Sequence, residues 1–103
     1  MTILIVLFNL KTGVSEADYE AFAKTLDIPT VTSLKSVSEF KVYKSLGLFG
    51  SDAKPPYQYF EVIHFSSVDE LVGDMDNEPK MAEIPAKFAE MADNPIFILT
   101  NEI

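Results

Sequence analysis

The run TILIVLFNL at residues 2–10 is apolar on both of the faces that an extended chain presents. Side chains alternate across a strand, so a half-wet strand reads apolar, polar, apolar; this one offers water no face. It is also too short to cross a membrane, which needs ~20 consecutive apolar residues. No basic segment precedes it and no small-residue cleavage site follows, so it reads as the first strand of a mature, cytoplasmic protein. A strand of this kind must be covered on both sides, and that requirement limits the folds open to the rest of the chain.

The following segments alternate between helical and extended periodicity. Lys11-Thr12-Gly13 is a turn, and Ser15, with Asp18 three residues on, is a helix cap. Tyr19, Phe22, Ala23 and Leu26 fall on one helical face, so a helix is expected over 16–26, ended by Asp27-Ile28-Pro29. Residues 30–36 are rich in Ser and Thr and read as a turn before the next strand. Residues 37–45 alternate as a more exposed strand, 46–56 are loop by their Gly and Pro content, and 57–65 form a third strand. Ser67-Val68-Asp69-Glu70 is a capping box that opens a helix running to about residue 76. Met81, Ile84, Phe88 and Met91 mark a second helical stretch over 79–92, which Pro85 must kink or split. Asp93-Asn94-Pro95 is a stop, and 96–102 is the last strand.

The resulting order, β-α-β-β-α-β, is that of an α+β ferredoxin-like domain spanning residues 1–103, with a four-stranded antiparallel sheet and the helices on one face. No third layer remains to cover the opposite face. A second copy of the chain is the expected cover, which gives a homodimeric α/β barrel.

Charge narrows the partners. Sixteen acidic residues face eight basic ones, all lysine, for a net charge of −8. Phosphate backbones and anionic bilayers need clustered cations, so neither nucleic acid nor membrane is expected as a partner. With no arginine, a highly anionic ligand lacks its bidentate grip. The absence of cysteine removes thiol chemistry and cysteine-based zinc sites and fits a reducing compartment.

The third strand, YQYFEVIHF at 57–65, carries the ionisable groups that a strand so apolar has no structural need for. Tyr57, Tyr59, Glu61, Ile63 and Phe65 share one face; Gln58, Phe60, Val62 and His64 share the other. Glu61 and His64 therefore cannot form a direct pair, and the Glu-x-x-His spacing that holds a metal on a helix does not do so on a strand. No metal and no cofactor is expected. Burying Glu61 requires a partner or a raised pKa. Either Lys41 or Tyr43 of the adjacent strand supplies that partner, as in a cross-strand Glu61–Lys41 pair without a chemical role, or Glu61 is a pocket carboxylate that moves a ligand proton. His64, the only histidine, is either a structural residue or a second candidate base. Asn9 either points its amide into a pocket or bonds the following turn. Asp74 to Glu78 resembles the start of a calcium loop but lacks the glycine and closing spacing, and Ser66 and Ser67 have no hydrolase context. Leu48 and Phe49, in a glycine-flanked loop, would cover a pocket or clasp a partner chain.

Three stretches, LFNLKTGVSEADYEAFA, LDIPTVTSLKSVSEFKVYK and YQYFEVIHFSSVDEL, resemble the REDY-like (HapK) family over nearly the whole chain. The most specific matches are the Asn-Leu-Lys-x-Gly turn at 9–13, Tyr19, the Asp27-x-Pro29 segment and Tyr59-x-Glu61. The resemblance implies a ferredoxin-like dimeric barrel associated with biosynthesis of prodigiosin-type pigments and related pyrrole or indole natural products. It also implies a small hydrophobic aromatic ligand, with cyclisation or condensation by proton transfer as the candidate chemistry. In that picture Glu61 or His64 moves the proton, and Asn9, Tyr19, Phe22, Tyr43 and Tyr59 bind or orient the substrate. A non-catalytic binding or chaperone dimer and a cofactor-free monooxygenase of the same barrel type are the alternatives.

Overall fold

The computed structural model describes residues 1–103. Strands β1 (Thr2–Leu10), β2 (Val37–Lys44), β3 (Tyr59–Phe65) and β4 (Ala92–Asn101) form one sheet in the order β2-β3-β1-β4. Every neighbouring pair is antiparallel. The helices are α1 (Glu16–Phe22), α2 (Ile28–Thr32), α3 (Val68–Asn77) and α4 (Ile84–Met91), with a 3₁₀ turn at Pro79–Ala82. This is the ferredoxin-like arrangement expected from the order of apolar periodicities.

The two predicted caps form. Ser15 Oγ accepts a hydrogen bond from the Asp18 amide at 3.0 Å, and Ser67 Oγ accepts one from the Glu70 amide at 3.2 Å. Each satisfies an amide that the first helical turn leaves unpaired.

The first helical stretch does not end at Asp27-Ile28-Pro29. It passes through a π-turn at Ala23–Asp27 into α2, where Pro29 occupies the opening turn. Proline is tolerated there because its missing N–H has no intrahelical role. The π-turn keeps the buried face continuous. Tyr19, Ala23, Asp27 and Val31 are all buried at four-residue spacing. In a regular helix that spacing rotates by about 40° per step, and the wider turn takes up the drift.

Two further boundaries differ from expectation. The second helical stretch breaks at Glu83, and Pro85 lies in the first turn of α4 rather than at the break. The Asp93-Asn94-Pro95 stop lies inside β4, which begins at Ala92; the ladder between β1 and β4 shifts register between Leu7 and Asn9, and Asn94 sits at φ 45°. A bulge absorbs these residues while pairing continues on either side.

On the helix-covered face Val6 and Phe8 of β1 lie opposite Glu61 and Tyr59 of β3. Phe8 is fully buried. Its ring lies 5.1 Å from Tyr19, 5.7 Å from Tyr59 and 4.9 Å from Phe88, joining α1, β3 and α4. The opposite face carries Ile3, Ile5, Leu7, Phe60, Val62, Ile96 and Ile98, among them side chains left half-exposed. The Phe8 cluster gives a direct test of the core: Phe8→Ala should cost about 3–5 kcal/mol of unfolding free energy, read from urea denaturation. A loss below about 1 kcal/mol would mean that the aromatic cluster does not anchor the helices to the sheet.

Candidate functional site

A cavity of about 400 Å³ lies between the helix-covered sheet face and the elements from Asp27 to α4. That volume is in the range of small-molecule sites. Leu4 and Val6 of β1, Ile63 of β3, Met75 of α3, Met81 of the 3₁₀ turn and Phe88 of α4 contribute to its apolar wall. Only two ionisable side chains line it, Glu61 from β3 and Asp27 from the end of the π-turn.

Strand alternation aims Glu61 inward, and it is 5 % exposed. The Tyr19 hydroxyl donates to its Oε2 at 2.7 Å. The Glu61–Lys41 pair, one of the two readings of Glu61, does not form. The β2–β3 register sets Val42 opposite Glu61 and Lys41 opposite Val62, so Lys41 stands on the other face, where its Nζ lies 3.1 Å from Glu39. Tyr43, opposite Phe60 on that same face, is no partner either. Glu61 is thus a buried carboxyl without a cation.

Asp27 is 4 % exposed. Burial alone pushes its carboxyl up to about 7, with no hydrogen bond or ion pair contributing. Burial, and next the nearby Asp27 charge, push Glu61 up to about 8 against the opposing bond from Tyr19. Burial and then the Glu61 charge raise the Tyr19 phenol, so it remains a donor. The arrangement holds exchangeable protons near neutrality within an apolar wall.

The other candidates are placed differently. Tyr19 stands behind Glu61 and lines a smaller groove with Tyr59, Lys24 and Lys44 rather than the main cavity. The Tyr59 hydroxyl donates to Glu20 at 2.7 Å, and Glu20 in turn pairs with Lys44 at 2.7 Å. Phe22 packs against both parts of the core, outside the cavity lining. His64 is on the opposite face, its Nε2 3.6 Å from Glu39, and Tyr43 is half-exposed there. Asn9 donates to the Pro56 carbonyl at 3.0 Å and accepts from the Gln58 amide at 2.9 Å, which fixes the end of the long β2–β3 connection. Leu48 and Phe49 of that connection are exposed. No three histidine or carboxylate side chains converge as a metal cage, and no helix is long and apolar enough to cross a membrane.

Asp27 is absent from the site residues expected from the sequence; the signal that could have found it is its four-residue spacing from Tyr19 and Ala23 on one helical face. The helix-ending sequence Asp-x-Pro pointed instead to a boundary.

The two raised carboxyls fix the sign of a pH effect. A group that is protonated in the native state and ionised in the unfolded chain makes stability fall as pH rises. The window runs from the ordinary carboxylate range up through about 7 for Asp27 and about 8 for Glu61. Each group contributes a slope of up to about 1.4 kcal/mol per pH unit inside it. Urea denaturation from pH 5 to pH 8 should show this decline, and Asp27→Asn should flatten it. An unchanged slope in the variant would show that Asp27 does not titrate with folding.

The comparisons with known proteins agree with the ferredoxin-like fold. Among solved structures, HapK from Hahella chejuensis is 23% identical with a TM-score of 0.76, covering 100% of this chain and 93% of that one. Hydroxynitrile lyase from Passiflora edulis is 17% identical with a TM-score of 0.78 and coverage of 99% and 94%. A dimeric ferredoxin-like protein from Thermobifida fusca is 19% identical with a TM-score of 0.76 and coverage of 98% and 90%. At these identities the likeness establishes the fold. No curated protein matches the sequence. The family model described as REDY-like protein HapK matches residues 2–103, and the chain belongs to that family.

Proposed function

We propose that this protein binds a small, flat, hydrophobic molecule in the cavity beneath α2–α4 and moves a proton on it with Glu61. The observation that carries the reading is Glu61 itself: a carboxyl without a counter-cation, bonded only by Tyr19, at the wall of an otherwise apolar cavity. Burial raises the basicity of its ionised form, and exclusion of water keeps that base unsolvated. Cyclisation or condensation of an aromatic, pyrrole- or indole-type intermediate in secondary-metabolite biosynthesis needs no more than this, together with positioning. The family membership supports that biosynthetic setting. A second copy of the chain is the proposed cover for the apolar open face, as the dimeric Thermobifida fusca neighbour supports.

A reaction that requires only a positioned carboxylate and an aromatic-sized cavity tests the chemistry without knowledge of the natural substrate. In 5-nitrobenzisoxazole a base removes the ring C–H proton, the N–O bond breaks and a coloured cyanophenolate forms. The wild-type protein should accelerate this elimination, with a rate that climbs as Glu61 ionises through about pH 8. Glu61→Gln should lose about a hundredfold or more while its melting behaviour shows a retained fold. Equal rates for the two proteins would remove Glu61 from the chemistry and leave a non-catalytic binding role.

A further inference from the structure

Building on the binding reading above, we infer that the preferred occupant of the cavity is a cation: a flat protonated nitrogen base whose N–H groups bridge Asp27 and Glu61. The polar inventory of the wall carries this inference. Two carboxyl groups present four oxygens, and the Tyr19 hydroxyl occupies one of them, Oε2 of Glu61. Asp27 is buried against the cavity with no protein donor or cation bonded to it. The remaining lining side chains, among them Leu4, Met75 and Phe88, are apolar and offer no donor.

Such a wall discriminates by charge. An anionic ligand meets like charge as soon as either carboxyl ionises, in a low-dielectric setting. A neutral ligand that only accepts hydrogen bonds must draw its donor from a protonated carboxyl. A planar cation with adjacent N–H groups satisfies carboxylate oxygens directly, the geometry of the strongest charge-assisted bonds. A proton held on the carboxyls leaves to solvent as the cation enters, so the charge within the cavity is conserved. The net charge of −8 adds a long-range attraction of the same sign.

Two probes of matched size separate the possibilities: 2-aminobenzimidazole, which protonates and donates, and 2-methylbenzoxazole, which accepts only. Calorimetric titration of the full chain near neutral pH should show the former binding about tenfold tighter or more. Asp27→Asn should erase most of that preference while 2-methylbenzoxazole binds as before. Met75→Trp, which fills the cavity, should weaken both probes. Equal affinities, or tighter binding of 2-methylbenzoxazole, would overturn the cationic assignment and leave the cavity as an aromatic site. A preference that survives in both Asp27→Asn and Glu61→Gln would also overturn it, since the cation would then be held elsewhere. Binding of neither probe would overturn this inference and the small-molecule reading together.

Discussion

The hydrogen bond from Tyr19 to Glu61 is the constraint on which the site depends. A carboxyl on the covered face of a sheet is costly because burial removes its water. One donor at 2.7 Å is all that the protein returns. That donor must come from α1, so the helix has to lie close over the centre of the sheet, and the aromatic cluster of Phe8, Tyr19, Tyr59 and Phe88 holds it there. The same bond occupies one carboxylate oxygen and leaves the cavity side open. Structural anchoring and chemical availability are therefore divided between the two oxygens of a single side chain.

Placing Asp27 in the same cavity compounds the electrostatic cost. Two carboxyls that would each be charged in water share a wall that contains no lysine, and the fold accommodates them by holding protons. A core selected for stability alone would put aliphatic side chains at both positions. Retaining them with a single protein hydrogen bond, from Tyr19 to Glu61, is the pattern that the proposed site calls for, with stability given up for reactivity.

Much of the architecture was legible in the sequence because period and capping are local signals. The two caps, the alternation that set Glu61 and His64 on opposite faces, and the element order all follow from residues within a few positions of one another. The Glu61 partner was not legible, because it depends on register. A pleat fixes the face on which a residue lies, but the bulge between Val37 and Glu39 decides what stands opposite Glu61, and that became Val42. Asn9 likewise had a pocket or the following turn as its local choices, but its partners, Pro56 and Gln58, come from the distant connection between β2 and β3. Asp27 was obscured by its neighbour: Pro29 signals a helix boundary, yet in the first turn of a new helical segment it ends nothing. The cavity itself is assembled from residues at both ends of the chain, and no local pattern announces it.

The π-turn carries a consequence for how this site can change. It places Asp27 by the number of residues in a turn rather than by any contact that Asp27 makes. At the same spacing a regular helix would carry Asp27 about 40° further round the axis from Ala23. The wide turn is what holds Asp27 in line with Tyr19 and Ala23, over the sheet that carries Glu61. The winding of one helical turn therefore decides whether the chamber has one carboxyl or two, as much as the identity of the residues around it does.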